Sequence, residues 1–434
     1  MQSDCATLTL GDLVSLVRGN TYKSALLGQP GPILLGLASI QRDGGFRGDS
    51  LKTYGGESAE KLLLRPGDLY VSLKDVTQSG DLLGAIARLP KSVPLGRLTQ
   101  DTVKLQFDAA RYPAELLYWT LRCPDYRAYC RERAIGTTNL SLSRDDFLAF
   151  PLPAAATKRM EMVALLEALE HRIDLLRQIN ATHESIAQAL FKSWFVDFDP
   201  VHAKAQGREP EGMDAATAAL FPAEFEASAL GLIPKGWQAR SLDSFATYLN
   251  GLALQRFPPE SDDEYLPVIK IAQLRAGNTV GADRASARLK PEYMVRDGDV
   301  LFSWSGSLEV EFWCGGDGAL NQHLFRVTSD EVPKWFYYLA TRHFLPGFRE
   351  IAAHKATTMG HIQRKHLTEA KIALPPASLM SELGRIAAPL LERRVANALL
   401  ARELANIRDA LLPRLISGKL RLPEAQEQVE EATA

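Results

Sequence analysis

The sequence predicts an α+β protein in which two mixed α/β domains stand in tandem, separated by two long helices that pack antiparallel as a coiled coil. Three observations support this prediction. The chain has 434 residues, of which 46% are hydrophobic, enough for two or more domains with real cores. Strand, turn and helix patterns occur twice in the same order. A heptad pattern follows each set. The predicted fold therefore contains an internal two-fold repeat.

Five pairs of similar stretches carry the repeat. In chain order, the first pair is typical of a buried strand and the second of a Gly-containing turn that leads into a strand. The third pair is typical of one helix, the fourth of a polar loop and the fifth of a proline-marked exit. Their common order indicates a tandem duplication with an offset of roughly 220 to 235 residues. The pairs are 33–40 with 267–274, 65–72 with 296–303, 114–133 with 335–351, 136–142 with 356–362, and 151–153 with 374–376.

Two long helices are predicted from apolar residues that alternate in steps of four and three, from Met162 to Trp194 and again from Ile386 to Leu411. Taken from Lys158 to Phe195, the first would span about 57 Å at 1.5 Å per residue. Pro413 is expected to end the second helix. Asn180 and Asn397 lie on the two seams, where they either set the register or face an open edge.

An aromatic cluster closes the first long helix. Trp194, Phe195 and Phe198 crowd large rings beside two aspartates, and Pro200 is expected to prevent further helix. The cluster either packs into a local core or docks a partner, and we expect it to lie outside both globular domains.

The sequence also predicts the domain boundaries. The segment after the aromatic cluster carries seven carboxylates against two cations over 196–234, so it is interpreted as an acidic linker. The predicted segments are a first domain at 1–153, a first spacer helix at 154–199, the linker at 200–236, a second domain at 237–376, a second spacer helix with a C-terminal turn at 377–423, and an acidic, frayed tail at 424–434.

Several function classes are disfavoured. The sequence has no phosphate-binding loop, no dinucleotide fingerprint and no Gly-x-Ser-x-Gly elbow. No metal site and no catalytic residue are predicted, and the four scattered cysteines are interpreted as buried thiols. There is no run of about 20 apolar residues and no signal-peptide pattern, so we expect a cytoplasmic protein away from membranes. These features favour a recognition protein over a catalyst.

The candidate recognition residues lie in polar loops of both halves. Asn and Gln can bind adenine through two hydrogen bonds, whereas Ser and Lys can contact phosphate. The stretch 342–366 is locally basic, with five Arg and Lys against one Glu, although the net charge is −2. Turn chemistry, a helix cap or a plain surface charge remain alternatives for each residue. The candidates are Lys74, Thr137, Thr138, Ser303, Ser305, Ser307, Asn321, Gln322, His323, Lys355, Thr357, Thr358 and His361.

Five stretches of the sequence resemble segments of a known protein family. The stretches 189–204, 220–222, 230–237, 319–325 and 411–420 are similar to segments of specificity subunits of type I restriction-modification systems. The resemblance implies two target-recognition domains that read a bipartite double-stranded DNA site. It also implies assembly with two methyltransferase subunits and with restriction subunits.

The same resemblance implies that S-adenosylmethionine, ATP and magnesium belong to those partner subunits and that this chain binds no cofactor. The helix pair is then expected to fix the gap between half-sites. The alternative function is a coiled-coil scaffold whose globular domains bind proteins.

Overall fold

The computed structural model describes residues 8–42, 44–48, 51–77, 79–137, 139–354, 360–416 and 422–433. Its internal contacts divide the chain into two compact units. The first unit is Met1–His171 together with Leu404–Ala434, and the second unit is Arg172–Glu403. Each unit therefore includes a stretch of both long helices.

The first unit is built on two small sheets. One has the strand order β1-β8-β4-β6 and the other β2-β7-β3, in which β2 and β7 are parallel. β5 and β9 form a separate short ladder. The strands are β1 (Ser15–Arg18), β2 (Ile33–Leu35), β3 (Leu63–Leu64), β4 (Leu69–Ser72), β5 (Lys74–Asp75), β6 (Ile86–Arg88), β7 (Gly96–Leu98), β8 (Thr102–Gln106) and β9 (Leu140–Ser141).

Three helices of the first unit's described residues precede the long helix: α1 (Ala114–Thr120), α2 (Pro124–Glu132) and α3 (Arg144–Leu148). The prediction of one helix over 114–133 is wrong. Cys123 takes an extended conformation and Pro124 begins the new helix, because proline is tolerated in a first turn but not in a helix interior.

The first long helix, α4, spans Thr157–Phe195, close to its predicted bounds. Phe198 adopts a left-handed conformation with φ of 54°, and Pro200 then lies in the first turn of α5 (Asp199–Ala205). The expectation that Pro200 prevents further helix is therefore wrong, because the fixed φ of proline suits a helix start.

The segment predicted to be an acidic linker is folded against the second unit's core. It contains α5, α6 (Ala215–Leu220) and the hairpin of β10 (Phe225–Ser228) with β11 (Gly231–Pro234). Val201, Phe221 and Ile233 are buried in the same cluster as the tryptophan Trp237. Apolar residues dispersed among the carboxylates carry this packing, which net charge alone conceals.

The second unit repeats the sheets of the first. Its strand orders β13-β20-β17-β18 and β15-β14-β19-β16 match the first unit's two sheets, with β15 added, and β14 and β19 are again parallel. The predicted internal repeat is thus confirmed at the level of topology. The strands are β12 (Gln238–Ser241), β13 (Thr247–Asn250), β14 (Tyr265–Ile269), β15 (Arg284–Ser286), β16 (Met294–Val295), β17 (Val300–Ser303), β18 (Val310–Phe312), β19 (Gly318–Leu320), β20 (Leu324–Thr328) and β21 (Lys371–Leu374).

A tight turn before β4 and β17 shows how closely the units agree. In the first unit the Arg65 amide donates to Asp68 Oδ2 at 2.8 Å, and in the second the Arg296 amide donates to Asp299 Oδ2 at 2.9 Å. The third residue of each turn is a glycine with positive φ, 94° and 84° respectively. Glycine is favoured there because a Cβ would strain this backbone.

The helices of the second unit's domain are α7 (Leu242–Phe245), α8 (Ile271–Ala276), α9 (Lys334–Ala353) and α10 (Arg364–Glu369). α9 confirms the predicted helix at 335–351. Its first two turns, over 335–341, are buried on all sides, and Phe336 and Tyr338 are fully buried.

The second long helix, α11, spans Ala377–Ile416, and α12 spans Leu422–Thr433. Two predictions are wrong here. Pro413 does not end α11; in the last turn it forfeits one hydrogen bond, and buried Leu411 and Leu412 hold that turn in place. The predicted frayed tail is helical, with Glu424 in the first turn, where a negative charge is favourable, and Ala425 buried.

In the second unit α4 and α11 run antiparallel, as predicted, because Asn180 meets Asn397 whereas the later residue Glu184 meets the earlier Arg394. The predicted fold class, mixed α/β domains in tandem with two long helices, is confirmed.

A buried ion network fastens each domain to the long helices. In the first unit Glu170 of α4 accepts from Arg122 at 3.3 Å and from Arg408 of α11. In the second unit Glu184 of α4 contacts Arg342 at 2.7 Å and Arg394 of α11 at 3.2 Å. In both networks, therefore, a glutamate of α4 binds one arginine of the domain and one arginine of α11.

The two α11 arginines of these networks, Arg394 and Arg408, have pKa values above the ordinary value of arginine. Burial alone would lower the pKa of Arg394, but the negative charge of neighbouring Glu311 and Glu184 raises it overall. The pKa of Arg408 is likewise raised, because hydrogen bonding to Asp409 and the charge of Glu170 outweigh burial.

Candidate nucleic-acid interface

In the second unit, three predicted loops converge beyond the end of β17. Ser305 forms an antiparallel bridge with His361, and the Ile362 amide donates to the Trp304 carbonyl at 3.0 Å. The Trp304 amide donates in turn to the His323 carbonyl at 3.3 Å. Candidates from three separate parts of the sequence thus share one site.

The polar side chains of this site are linked to one another. Ser305 Oγ lies 3.0 Å from His323 Nδ1, and Gln322 Nε2 lies 3.3 Å from His323 Nε2. Which partner donates in each of these two hydrogen bonds depends on the tautomer of His323. The half-buried Gln322 and His323 therefore present a fixed hydrogen-bonding edge.

Trp304 supports this edge from behind. Its indole Nε1 donates to Asn250 Oδ1 at 2.9 Å and to the Gln322 carbonyl at 3.2 Å. Its ring lies 5.7 Å from the His323 ring and 6.3 Å from the His361 ring. The two imidazoles are therefore positioned by one aromatic platform.

Two of the predicted contact residues are buried and hydrogen-bonded within the loops. Ser303 is fully buried, and its hydroxyl donates to the Ser307 carbonyl at 2.6 Å and accepts from the Glu309 amide at 2.7 Å. Asn321 is buried and accepts from the His323 amide at 3.2 Å. Both side chains shape the loops, while Ser307 is exposed.

The first unit carries the equivalent backbone feature. Lys74 pairs with Ser141 in the β5–β9 ladder, at the position of the Ser305–His361 bridge. The Leu142 amide donates to the Leu73 carbonyl at 2.9 Å, as Ile362 donates to Trp304. The predicted correspondence of Lys74 with Ser305 is therefore confirmed.

The side chains on that feature differ between the units. Lys74 is 47% exposed and lies 3.4 Å from Asp101, whereas Ser305 is buried. Thr137 is exposed in the following loop. The remaining predicted contacts, Thr138, Lys355, Thr357 and Thr358, lie outside the described residues.

Sequence reasoning missed three residues of the first unit's ladder. Asp75 is buried beside exposed Lys74, and its carboxylate accepts from the Thr77 and Leu82 amides at 2.8 and 2.7 Å. Val76 and Ile135 are exposed next to this ladder. Alternation along 74–76 could have indicated the inward Asp75, but the pairing partner of Ile135 was invisible in sequence.

The residues predicted to have a structural or docking role are inside the second unit. Trp194 and Phe195 are buried in its main core, with Phe195 5.1 Å from the Phe336 ring, and Phe198 packs against Trp237 at 5.9 Å. The expectation that this cluster lies outside both domains is wrong, because the helix end supplies core aromatics.

The two seam asparagines bond across the helix pair. Asn180 Nδ2 donates to the Arg394 carbonyl at 3.0 Å, and Asn397 Nδ2 donates to Asn180 Oδ1 at 3.0 Å. Of the two interpretations left open by the sequence, register setting is the one these contacts favour.

Among the described residues, no group of three or more His, Cys, Asp or Glu side chains is arranged to hold a metal ion. In the same part of the chain, no helix combines the length and apolar character needed to cross a membrane. Cys123 and Cys130 are buried, and burial raises the pKa of the Cys123 thiol to about 12.

Residues 234–382 match the family model described as the type I restriction modification DNA specificity domain. The match falls within the second unit and contains the linked Ser305, Gln322 and His323 side chains. This part of the second unit is therefore similar to type I DNA specificity domains.

Two curated proteins similar to this chain are named as type I restriction enzyme specificity subunits. The chain is 24% identical over 319 residues to the HindI type I restriction enzyme specificity subunit of Haemophilus influenzae, covering 63% of this chain and 69% of that protein. It is 23% identical over 323 residues to the MjaIX specificity subunit of Methanocaldococcus jannaschii, covering 72% of this chain and 70% of that protein. The similarity thus extends well beyond the matched domain.

Solved structures of such subunits also align with most of the chain. The type I S subunit from M. genitalium covers 96% of this chain and 98% of its own at 14% identity, with a TM-score of 0.49. The HsdS subunit from Thermoanaerobacter tengcongensis covers 95% of this chain and 96% of its own at 19% identity, with a TM-score of 0.30.

Proposed function

We propose that this chain is the DNA-reading subunit of a type I restriction-modification complex and that it reads a bipartite double-stranded target, one half-site per domain. The observation that carries the proposal is the duplicated ladder, Lys74–Ser141 in one unit and Ser305–His361 in the other. A single reading head would need one such feature, whereas two half-sites need two.

The chemistry of each ladder suits DNA in a different way. Exposed Lys74 can neutralise a phosphate, and such contacts position a protein on the duplex. Gln322 and His323 offer donors and acceptors of the kind that read base edges in the major groove. We therefore assign positioning to Lys74 and base reading to the second unit's linked edge.

We further propose that the chain is non-catalytic and docks two methyltransferase subunits and the restriction subunits. S-adenosylmethionine, ATP and magnesium would then be bound by those partners. The support is the naming of the curated relatives as specificity subunits of type I restriction enzymes.

The proposal is tested by sequencing DNA methylation in cells that express the chain with its methyltransferase partner. We expect one new methylated motif made of two short specific parts separated by an unspecific gap. A continuous motif would contradict the two-reader assignment. The absence of any new motif in cells that contain the assembled complex would contradict DNA reading.

A scaffold that binds proteins predicts a different result in solution. DNA binding by the full chain with its methyltransferase should weaken as salt rises, because phosphate contacts release counterions. Lys74→Ala should reduce the slope of log affinity against log salt by about one unit. An unchanged slope would remove Lys74 from the interface, and salt-independent binding would favour the scaffold.

A further inference from the structure

The first unit's ladder presents one exposed face that combines a cation with apolar groups. Ser141 pairs with Lys74 on one side and bridges to Ile135 on the other. Directly paired residues project their side chains from the same face of a sheet. Lys74, Ser141 and Ile135 therefore form a row across this face, and Ile135 is 60% exposed.

Val76 follows this ladder in the chain. Asp75 is buried, and the backbone bends at Val76, where the Thr77 amide donates back to Asp75 Oδ1 at 2.8 Å. Val76 is 62% exposed. Val76 and Ile135 are thus two β-branched apolar side chains beside this ladder that are open to solvent.

The loop that holds Val76 is fixed in place. Asp75 Oδ1 accepts from the Thr77 amide at 2.8 Å and from its hydroxyl at 2.9 Å, while Oδ2 accepts from the Leu82 amide at 2.7 Å. A β-branched side chain also has few rotamers. Val76 can therefore make a contact at little cost in conformational entropy.

Partly exposed ion pairs accompany the apolar pair. Lys74 lies 3.4 Å from Asp101, and Arg131 and Arg133, which precede Ile135 in the chain, pair with Asp81 and Glu132. Exposed ion pairs contribute little stability, so a phosphate can replace the carboxylate partner of such a cation. A duplex offers phosphates beside one apolar group in the major groove, the C5-methyl of thymine.

Resting on the proposed function, we infer that Val76 and Ile135 are specificity-determining residues that contact thymine methyl groups in the half-site read by the first unit. The second unit reads its half-site with polar groups at the equivalent ladder, so the thymine preference belongs to one half alone. Neither residue was among the contacts predicted from sequence.

The test begins by selecting bound sequences from a random duplex library with the full chain and its methyltransferase. Duplexes of the selected sequence are then made with deoxyuridine in place of thymine, one position at a time, which removes a single methyl group. We expect affinity to fall about fourfold at one or two thymines of one half-site, the effect of one buried methyl group. Substitutions in the other half-site should have little effect.

Variants assign the methyl contact to residues. Val76→Ser and Ile135→Ser remove apolar surface at exposed positions, so folding is not at risk, and each should bring the thymine-to-uracil affinity ratio close to one at its own position. Val280→Ser is the matched control, because Val280 is a 73% exposed valine of the second unit's domain. It should leave every ratio unchanged.

The outcomes separate the inference from the function on which it rests. If duplexes are selected but no thymine methyl matters, or the ratio survives both serine variants, the inference is wrong and DNA reading stands. If the complex selects no sequence at all, the proposed function fails and the inference fails with it.

Discussion

The two ladders share a backbone and differ in their side chains. Lys74 and Ser141 are paired as Ser305 and His361 are, yet the first face is cationic and apolar whereas the second is an imidazole and amide edge. The surface has therefore diverged while the pairing has not. Such divergence is expected where two copies of one scaffold bind different ligands, because function resides in the site and not in the fold.

The buried positions, unlike the exposed faces, are alike in the two units. The Arg65–Asp68 and Arg296–Asp299 turns have matching hydrogen bonds, and Ser72 and Ser303 are both fully buried at the ends of equivalent strands. Arg122 and Arg342 each reach a glutamate of α4. Positions that fix the loops or fasten the domain to the helices have kept their chemistry, because a change there costs stability.

Exchange of the first domain is the strongest way to break this comparison. Replacing residues 1–153 with the matching segment of a related chain should change one half of the methylated motif completely and leave the other half intact. Methylation sequencing of cells that express the chimaera checks this. A change in both halves would show that the two faces do not read independently.

The two ion networks are expected to differ in strength. Glu170→Ala leaves the buried Arg122 without a carboxylate partner, while Arg408 keeps only Asp409, and should destabilise the first unit by about 3 kcal/mol. Glu184→Ala should cost less, because Glu311 still accepts from both arginines of the second unit.

Hydrogen exchange followed by mass spectrometry locates each effect, since faster exchange should appear in the unit that carries the substitution. Glu161→Ala, at an exposed position on the same helix, is the control. Equal losses for the two network variants would contradict the compensating role of Glu311.

Patterns that repeat over distance were readable from the sequence. The duplication, both long helices and the equivalence of Lys74 with Ser305 all follow from order and spacing, and the structure confirms them. Such signals survive because they depend on many residues at once. The predictions for the two prolines were wrong for the opposite reason. Whether Pro200 or Pro413 ends a helix depends only on the few residues around each proline.

Burial was the part of the site that sequence could not supply. Ser303 and Asn321 have the side chains of contact residues but lie inside the domain. Val76 and Ile135 have the side chains of core residues but lie outside it. Residue type predicts average exposure, whereas the exceptions are set by tertiary packing around short loops.

The duplicated turns should respond equally to the same substitution. Gly67→Ala and Gly298→Ala each place a Cβ on a backbone with positive φ and should cost about 1 kcal/mol. A steric clash does not add to this cost. A Cβ added at position 67 would meet no atom within 4 Å, and the nearest atom to a Cβ added at position 298 is 3.9 Å away.

Urea unfolding measures both costs. Gly347→Ala is the control with the opposite sign: this exposed glycine of α9 has open space and no positive φ, so alanine should stabilise the helix by up to about 1 kcal/mol. Costs that differ by more than about 1 kcal/mol between Gly67 and Gly298 would mean that the two turns are not equivalent.

The smallest effect is expected at the seam of the second unit, where Asn180 and Asn397 form an uncharged contact between the two long helices. Asn397→Ala removes the donor to Asn180 Oδ1, and Asn180→Ala removes that acceptor together with the bond to the Arg394 carbonyl. A double-mutant cycle should give a coupling energy of about 1 kcal/mol, the net value of one hydrogen bond.

Replacing both residues with leucine should leave stability unchanged or raise it, because no buried polar group is then left unpaired. Register should suffer instead, since an apolar seam accepts several alignments whereas the asparagine pair accepts one. Disulfide trapping between cysteines placed at exposed positions along α4 and α11 reads the alignment directly. A single trapped register in the double-leucine variant would show that the ion network at Glu184 sets the alignment without the asparagines.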